Sequence, residues 1–333
     1  MAAGCGHEGC WRSIIPCPRI AHMPSSADSL SQLLRASWQL FWEKKRPIIV
    51  GAALFGTLVA LVGAVSYGRA ERHVWDTMQR LGVDQREMLE MQRMLRSGDE
   101  EAVEEIMQAL ESTTEPLEQM TDEERDAFFA AEGMRMMRSL LPLIGVGMLW
   151  WALMALLATG YFTFLALGSS NDPVALLQLA LGKALSLLGV GVWAMLRSFV
   201  WIPILGIIPA LILGPRFAWI LILGIVPAVI LGPRFACSTV ILLCDRVGVK
   251  DAVAQSYART RGYWGKICSN MLLVALITSF ISSLLNSTFA PLVRPSPVFG
   301  IWLHAVIQQL SLAFNTVFLV LLSKTVMEYP VKD

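Results

Sequence analysis

Long apolar runs separated by shorter polar stretches set the pattern of this chain. Clear runs occupy residues 47–67, 140–167, 173–196, 267–290 and 299–323. An uninterrupted apolar run of about 18 residues or more predicts a membrane-spanning helix. The pattern therefore predicts an all-α fold, a polytopic membrane helix bundle with about six transmembrane helices once the repeated segment between the third and fifth spans is included.

That segment is a tandem repeat at 204–219 and 222–237, ILGIIPALILGPRFAW and ILGIVPAVILGPRFAC. As one helix, residues 199–244 would measure about 69 Å, whereas a bilayer core is about 30 Å thick. The offset of 18 residues makes five whole helical turns, so the duplication adds length without rotating the downstream side chains. We read it as a recent local duplication.

The extra length needs a path that keeps the two flanking segments on their own sides of the membrane. We expect residues 217–244 to be the fourth span and residues 199–213 to form a re-entrant or broken segment turned at Gly214-Pro215. In the alternative, spans at 184–213 and 217–244 place Arg197 inside the membrane, where an unpaired charge is costly.

The N-terminal region precedes the first span. Residues 1–26 are predicted to be disordered, and Met23 is an alternative start of translation. Residues 27–46 are amphipathic and end in Lys44, Lys45 and Arg46, which predicts an interfacial helix with a basic collar. A plain helix leading into the first span fits the same pattern.

Residues 68–139 differ sharply from the rest of the chain. From residue 69 they carry 18 acidic residues, nine arginines, no lysine and nine of the sixteen methionines. Thr121 and Glu124 form a capping box, which predicts a helix start. The pattern indicates an acidic, Met-rich helical extramembrane insert, whose Met-rich face is either its own core or a binding surface.

Lys and Arg in the loops predict orientation, because they favour the cytoplasmic side. The N-terminal region, the loop 245–266 and the C-terminal tail are basic, so we place all three in the cytoplasm and the acidic insert outside. The loop's cations either bind anionic lipid head groups or serve only to orient the chain: Arg246, Lys250, Arg259, Arg261 and Lys266.

Polar side chains recur at helical spacing on the last two spans. We predict either a polar path for a small solute, with His304 able to titrate, or interhelical hydrogen bonds that hold the bundle together. The candidate residues are Ser279, Ser282, Ser283 and Asn286 on the fifth span, and His304, Gln308, Ser311 and Asn315 on the sixth.

Small residues recur every four positions along the first span, at Ala52, Gly56, Ala60 and Ala64. Such a face lets another helix approach closely. We expect membrane lipids as partners, together with a protein partner or a second copy of the chain, bound through this face or through the insert 69–139. The net charge of +1 gives no sign of nucleic-acid binding.

No enzyme motif is present, and neither a metal nor a cofactor site is predicted. Cys5, Cys10 and Cys17 with His7 match no standard zinc spacing. Asn286-Ser287-Thr288 fits a glycosylation sequon, a motif that arises often by chance. A membrane-embedded lipid enzyme would need paired carboxylates or a His/Asp pair, which the spans lack.

The stretch 232–267, GPRFACSTVILLCDRVGVKDAVAQSYARTRGYWGKI, resembles a bacterial superfamily of multi-pass proteins that includes the membrane domain of some glycerophosphodiester phosphodiesterases. The resemblance implies a six-helix membrane domain that accompanies enzymes or envelope functions without catalysis. We expect no phosphodiesterase domain within these 333 residues. The matching residues are Arg234, Phe235, Asp245, Ala252 or Ala254, Ser256, Thr260 and Gly262.

Taken together, these patterns favour a non-catalytic scaffold or accessory subunit of the bacterial cell envelope. We expect it in the cytoplasmic membrane, with both termini in the cytoplasm and anionic lipid at the basic loop. The alternative is a transporter or channel that uses the polar faces of the fifth and sixth spans.

Overall fold

A computed structural model describes five stretches of the chain: 30–80, 121–199, 234–245, 247–293 and 296–328. These stretches are helical, and no strand occurs in them, so the all-α prediction is confirmed. The helices are α1 Leu30–Glu43, α2 Lys45–Arg80, α3 Asp122–Ala166, α4 Pro173–Gly182, α5 Ala184–Phe199, α6 Ser238–Cys244, α7 Val249–Thr260, α8 Trp264–Val293 and α9 Pro297–Glu328.

Four helical segments in the described ranges are long and apolar enough to cross a membrane: Lys45–His73, Leu141–Ala166, Trp264–Val293 and Pro297–Met327. The pair α4 and α5 would add a fifth crossing if it forms one broken span. Membrane-length apolar helices are thus confirmed, while the number of six stays a prediction.

Several predictions fall outside the described residues. Among them are the segment 1–26, most of the insert 68–139, and Arg246. The tandem repeat also falls there, except for the last four residues of its second copy. Of the predicted fourth span, the structure describes residues 234–244, which include α6.

The helices that flank the insert run past the apolar segments. Helix α2 continues to Arg80. Helix α3 begins at Asp122, directly after Thr121, as the capping box predicts.

Helix α4 begins where a polar turn caps it. Asp172 accepts hydrogen bonds from the backbone N–H groups of Val174 (3.2 Å) and Ala175 (3.3 Å), and Pro173 occupies the first helical position. These are the residue types that a helix start favours, because the aspartate satisfies free N–H groups and proline has none to satisfy.

A bend of 58° separates α4 from α5 at Lys183. The sequence suggests that the third apolar run is interrupted at Arg197 and Ser198, but α5 continues through both to Phe199. Arginine is a good helix former, whereas Gly182 is a poor one, so the helix breaks at Gly182-Lys183. Lys183 is exposed at the bend.

The turn between α8 and α9 is shorter than the sequence predicts. The polar stretch between the last two apolar runs includes Pro291, but this residue lies in the last turns of α8, which ends at Val293. Proline has no backbone N–H, so it cannot make its own hydrogen bond to the preceding turn. Near a helix end this loss affects few other backbone hydrogen bonds. Pro297 then begins α9, where its fixed φ suits the first turn.

The chain forms two compact units. The first comprises Met1–Leu54, Ala155–Ser283 and Gln308–Asp333, and the second comprises Phe55–Met154 and Leu284–Ile307. In the first unit, α1 packs through Leu33 into a cluster with Ile267 and Val317, and Trp38 makes an edge contact with Phe314.

Two tryptophan side chains donate hydrogen bonds between helices of the second unit. The Trp150 N–H donates to the Leu58 carbonyl (2.8 Å), and the Trp302 N–H donates to the Thr57 hydroxyl (2.9 Å). These bonds tie α2 to α3 and to α9, respectively. Each bond gives a polar indole N–H the acceptor that it needs between apolar helices.

Candidate functional site

Within the predicted basic loop 245–266, the main element that the structure describes is helix α7, which has one buried face and one polar face. Ala252, Val253 and Ser256 are buried, whereas Lys250 and Arg261 are exposed. Lys266 is exposed at the start of α8. The buried face packs against α5 and α6 in a cluster with Leu187, Val190 and Ile241.

Arg259 differs from the other cations of this surface. Its guanidinium lies 3.6 Å from the Asp245 carboxylate, and both side chains are about one-third exposed (32% and 36%). An exposed pair of this kind contributes little to stability, about 0.2–1 kcal/mol. It does offset part of the positive charge of Arg259, so Lys250 and Arg261 are the better candidates for contact with an anion. Lys266 is also exposed.

A buried polar network fixes α7 to the turn before α6. The backbone carbonyl of Arg234 accepts hydrogen bonds from the hydroxyls of Ser256 (2.7 Å) and Thr260 (3.2 Å). Thr260 also donates to the Ser256 carbonyl at 2.8 Å. Both side chains are fully buried. Such satisfied bonds between two segments define one relative position of α7.

The Arg234 side chain adds a second link to α7. Its guanidinium donates to the Tyr257 hydroxyl (2.7 Å) and lies 4.9 Å from the centre of that ring. Phe235 is buried, with its ring 6.1 Å from Tyr257. The turn after α7 contains Gly262 at φ 86°, a conformation that favours glycine.

These contacts account for the residues on which the family resemblance rests. Arg234, Ser256 and Thr260 form the buried network, Asp245 pairs with Arg259, and Gly262 makes the turn. Of the two alanines that fit the pattern, Ala252 is fully buried and Ala254 is exposed. The membership itself stays a prediction.

A contact that the sequence did not predict lies beside this surface, around Trp193. Arg197 of α5 and Lys250 of α7 both lie over the indole of Trp193, at 5.5 and 5.8 Å from a ring centre. The i, i+4 spacing of Trp193 and Arg197 on one helix could have indicated their contact. Lys250 joins them only through the tertiary packing of α7 on α5.

The structure brings together part of the predicted polar stripe in the first unit. The hydroxyls of Ser282 and Ser311 are 2.5 Å apart. Asn315 bonds to Thr278 at 3.3 Å, a partner that the sequence reasoning missed.

Other members of the stripe do not meet across the helices. Ser279 and Ser283 on α8, and Gln308 on α9, are exposed. One step along a helix turns about 100°, so Ser283 cannot share the direction of Ser282. The polar residues of α8 therefore lie on two faces of the helix. Among the described residues, only the face that contains Ser282 is hydrogen-bonded to α9.

Asn286 and His304 belong to the second unit, where they line the same cavity between the ends of α8 and α9. Its volume is about 360 Å³, and its other lining residues are mainly apolar, among them Phe289 and Leu303. His304 is exposed and Asn286 half-buried. The size lies at the lower end of the range for small-molecule sites.

The small-residue face of α2 is buried within the chain. In the first unit, Ala52 is fully buried. In the second, Ala60 is 6% exposed, and a Cβ on Gly56 would come within 2.8 Å of the Val306 backbone. Ala64 is half-buried. The close approach predicted for this face therefore takes place with α9, at least at Gly56.

Within the described ranges, no group of three or more His, Cys, Asp or Glu residues could hold a metal ion. None of the described cysteines, Cys237, Cys244 and Cys268, forms a disulfide bond. The N-terminal Cys5, Cys10 and Cys17 lie outside the described residues.

Comparison with known proteins gives no relative: no family model, no curated protein and no solved structure matches this chain.

Proposed function

We propose that this protein is a non-catalytic membrane scaffold or accessory subunit of the bacterial cell envelope, and that α7 presents a surface for anionic lipid head groups. The observation that carries the proposal is a group of exposed cations in and just after α7, at Lys250, Arg261 and Lys266. Buried hydrogen bonds fix α7 in place, and the described part of the chain contains four membrane-length apolar helices. A rigid cationic surface beside a bilayer attracts anionic lipid by about 1 kcal/mol per charge.

The proposed location is the cytoplasmic membrane, with both termini and α7 on the cytoplasmic side. The excess of Lys and Arg in the N-terminal region and in the loop 245–266 supports this orientation. A hydrogen bond from the Lys44 ammonium to the Asn171 side chain, at 2.6 Å, joins the start of α2 to the turn after α3. Both therefore lie on one side, so α2 and α3 form a hairpin that leads to the insert and back.

The proposed protein partner, or second copy of the chain, would bind through the insert 69–139. In the described structure, the small-residue face of α2 is engaged with α9 at Gly56, which leaves the insert as the better candidate. The weak family resemblance agrees with an accessory role.

A transporter or channel is the second candidate, and the cavity that Asn286 and His304 line is the observation that favours it. The hydrogen bond between Ser282 and Ser311 favours the structural alternative, because paired hydroxyls hold helices together. Three members of the predicted path are exposed away from the helix contact, so we rank transport second.

Lipid retention tests the proposed function. The full chain is purified in mild detergent from membranes that contain phosphatidylglycerol, and bound lipid is counted by native mass spectrometry. Changing Lys250, Arg261 and Lys266 to Gln should remove most of the retained anionic lipid, because three exposed charges are lost.

The matched control changes Arg69, Arg72 and Arg138 to Gln. It removes the same charge from exposed positions at the ends of the insert. Retention should remain as in the unaltered protein. Equal losses in both triple variants, or none in either, would contradict a lipid-binding role for α7.

A further inference from the structure

The indole of Trp193 is flanked by two cations from different helices. The guanidinium of Arg197 lies 5.5 Å, and the ammonium of Lys250 5.8 Å, from a ring centre of Trp193. Two cations therefore contact the same indole ring, and a bound anion would offset their combined charge.

The position of the three side chains is set by packing. Gly189 on α5 lets Val249 of α7 approach closely, since a Cβ on Gly189 would lie 3.2 Å from a Val249 methyl group. Lys250 is the next residue along α7, and Trp193 lies one turn beyond Gly189 on α5. The contact that brings α7 against α5 therefore brings Lys250 to the indole.

Neither cation has a carboxylate partner within the ranges that the structure describes. The Asp245 carboxylate pairs with Arg259 instead. Asp251 comes directly after Lys250, but successive residues of a helix project about 100° apart. Arg197 and Lys250 are both exposed, so a molecule at the surface can reach them.

The indole N–H of Trp193 supplies a third indication. It is buried, and it has no hydrogen-bond partner among the described residues. A buried donor without an acceptor costs about 1–3 kcal/mol. An acceptor oxygen within hydrogen-bond distance of the indole N–H would remove that cost.

We propose that Arg197, Lys250 and the indole N–H of Trp193 form a binding site for a phosphate group, that of an anionic lipid head group. The site rests on the proposed function and deepens it, because it adds two residues of α5 to the surface of α7. Arginine and lysine neutralise the phosphate, and the indole N–H donates a hydrogen bond to one of its oxygens.

Thermal unfolding of the full chain in detergent tests the site. Phosphatidylglycerol is added to the micelles and compared with phosphatidylcholine of the same acyl chains and with inorganic phosphate. We expect phosphatidylglycerol to raise the melting temperature and the other two to leave it unchanged. An equal rise with inorganic phosphate would overturn the lipid assignment.

The variants then locate the effect. Arg197→Gln and Lys250→Gln should each weaken the apparent affinity for phosphatidylglycerol about fivefold, and the double variant should abolish the rise. Trp193→Phe keeps an aromatic ring but removes the N–H, so it should also weaken binding. Arg197→Lys keeps the charge and should retain most of the affinity. It takes the place of Arg197→Gln if the glutamine variant does not fold.

The double variant Arg261→Gln/Lys266→Gln separates this inference from the proposed function. If it lowers the affinity while Arg197→Gln/Lys250→Gln and Trp193→Phe do not, the surface binds lipid elsewhere and the site is wrong. If none of the variants lowers the affinity, the proposed function fails as well.

Discussion

Gly56 shows at the scale of one residue how α2 and α9 meet. A Cβ at this position would lie 2.8 Å from the Cα of Val306 and 2.9 Å from its backbone nitrogen. Backbone atoms cannot turn aside as a flexible side chain can, so an added methyl group would push the helices apart. Overpacking of this kind typically costs about 1–3 kcal/mol.

We therefore predict that Gly56→Ala lowers the free energy of unfolding by about 1–3 kcal/mol, measured with denaturing detergent in mixed micelles. Gly68→Ala is the matched control, because it lies on the same helix and nothing lies within 4 Å of its added Cβ. The control should be neutral or slightly stabilising, since alanine favours helix more than glycine. Equal effects of the two changes would show that α2 and α9 do not pack at Gly56.

Single residues were only partly predictable from the sequence. The four-residue spacing of Ala52 and Gly56 indicates a close helix contact, and the structure gives Gly56 one. The spacing cannot name the partner, because any helix fits such a face. The bond from Thr278 to Asn315 is missed for a related reason: threonine commonly bonds its own helix backbone, as Thr278 also does at Val274.

At the scale of elements, the contact between α8 and α9 is where a packing role of the polar residues can be tested. The hydroxyls of Ser282 and Ser311 form one hydrogen bond between these helices in the first unit. Bonds of this type contribute about 0.6 kcal/mol on average in membrane proteins.

A double-mutant cycle should reveal that coupling. We expect Ser282→Ala and Ser311→Ala each to destabilise the chain, and the double variant to cost less than the sum by about 0.6 kcal/mol. The cycle Ser283→Ala with Ser311→Ala is the control, since Ser283 is exposed. Strict additivity in both cycles would remove the support for a structural role.

The helix pattern was more predictable than the helix limits. Apolar runs locate α2, α3, α8 and α9, because burial in lipid or protein requires such runs whatever the tertiary contacts. The break at Lys183 and the continuation of α5 through Arg197 are not predicted by those runs. The sequence marks both positions with a charge. Gly182 favours the break before Lys183, and the contact of Arg197 with Trp193 lies on the continuous helix α5.

At the scale of the whole molecule, large apolar side chains face outward along the long helices. Leu149, Leu185 and Phe280 are each at least 70% exposed. Water-soluble proteins rarely expose such surfaces. A bilayer covers them, which is why we treat the chain as a membrane protein and its polar ends as the places where function is located.

Orientation relates the basic surface of α7 to the acidic insert. If α7 lies in the cytoplasm, then its cations meet the leaflet that carries most anionic lipid, and the insert lies on the opposite face. The sequence predicts this from loop charges alone. Helix contacts are the same in either orientation, so the test has to distinguish the two sides of the membrane.

Labelling from one side of the membrane tests the orientation most directly. In a cysteine-free background, Ala258→Cys reports an exposed position on α7, and Glu123→Cys reports an exposed position at the start of α3, within the insert. A maleimide that cannot cross membranes should label Glu123→Cys in intact cells, and Ala258→Cys only after permeabilisation. Labelling of Ala258→Cys in intact cells would contradict the proposed orientation, because the basic surface of α7 would then face away from the cytoplasm.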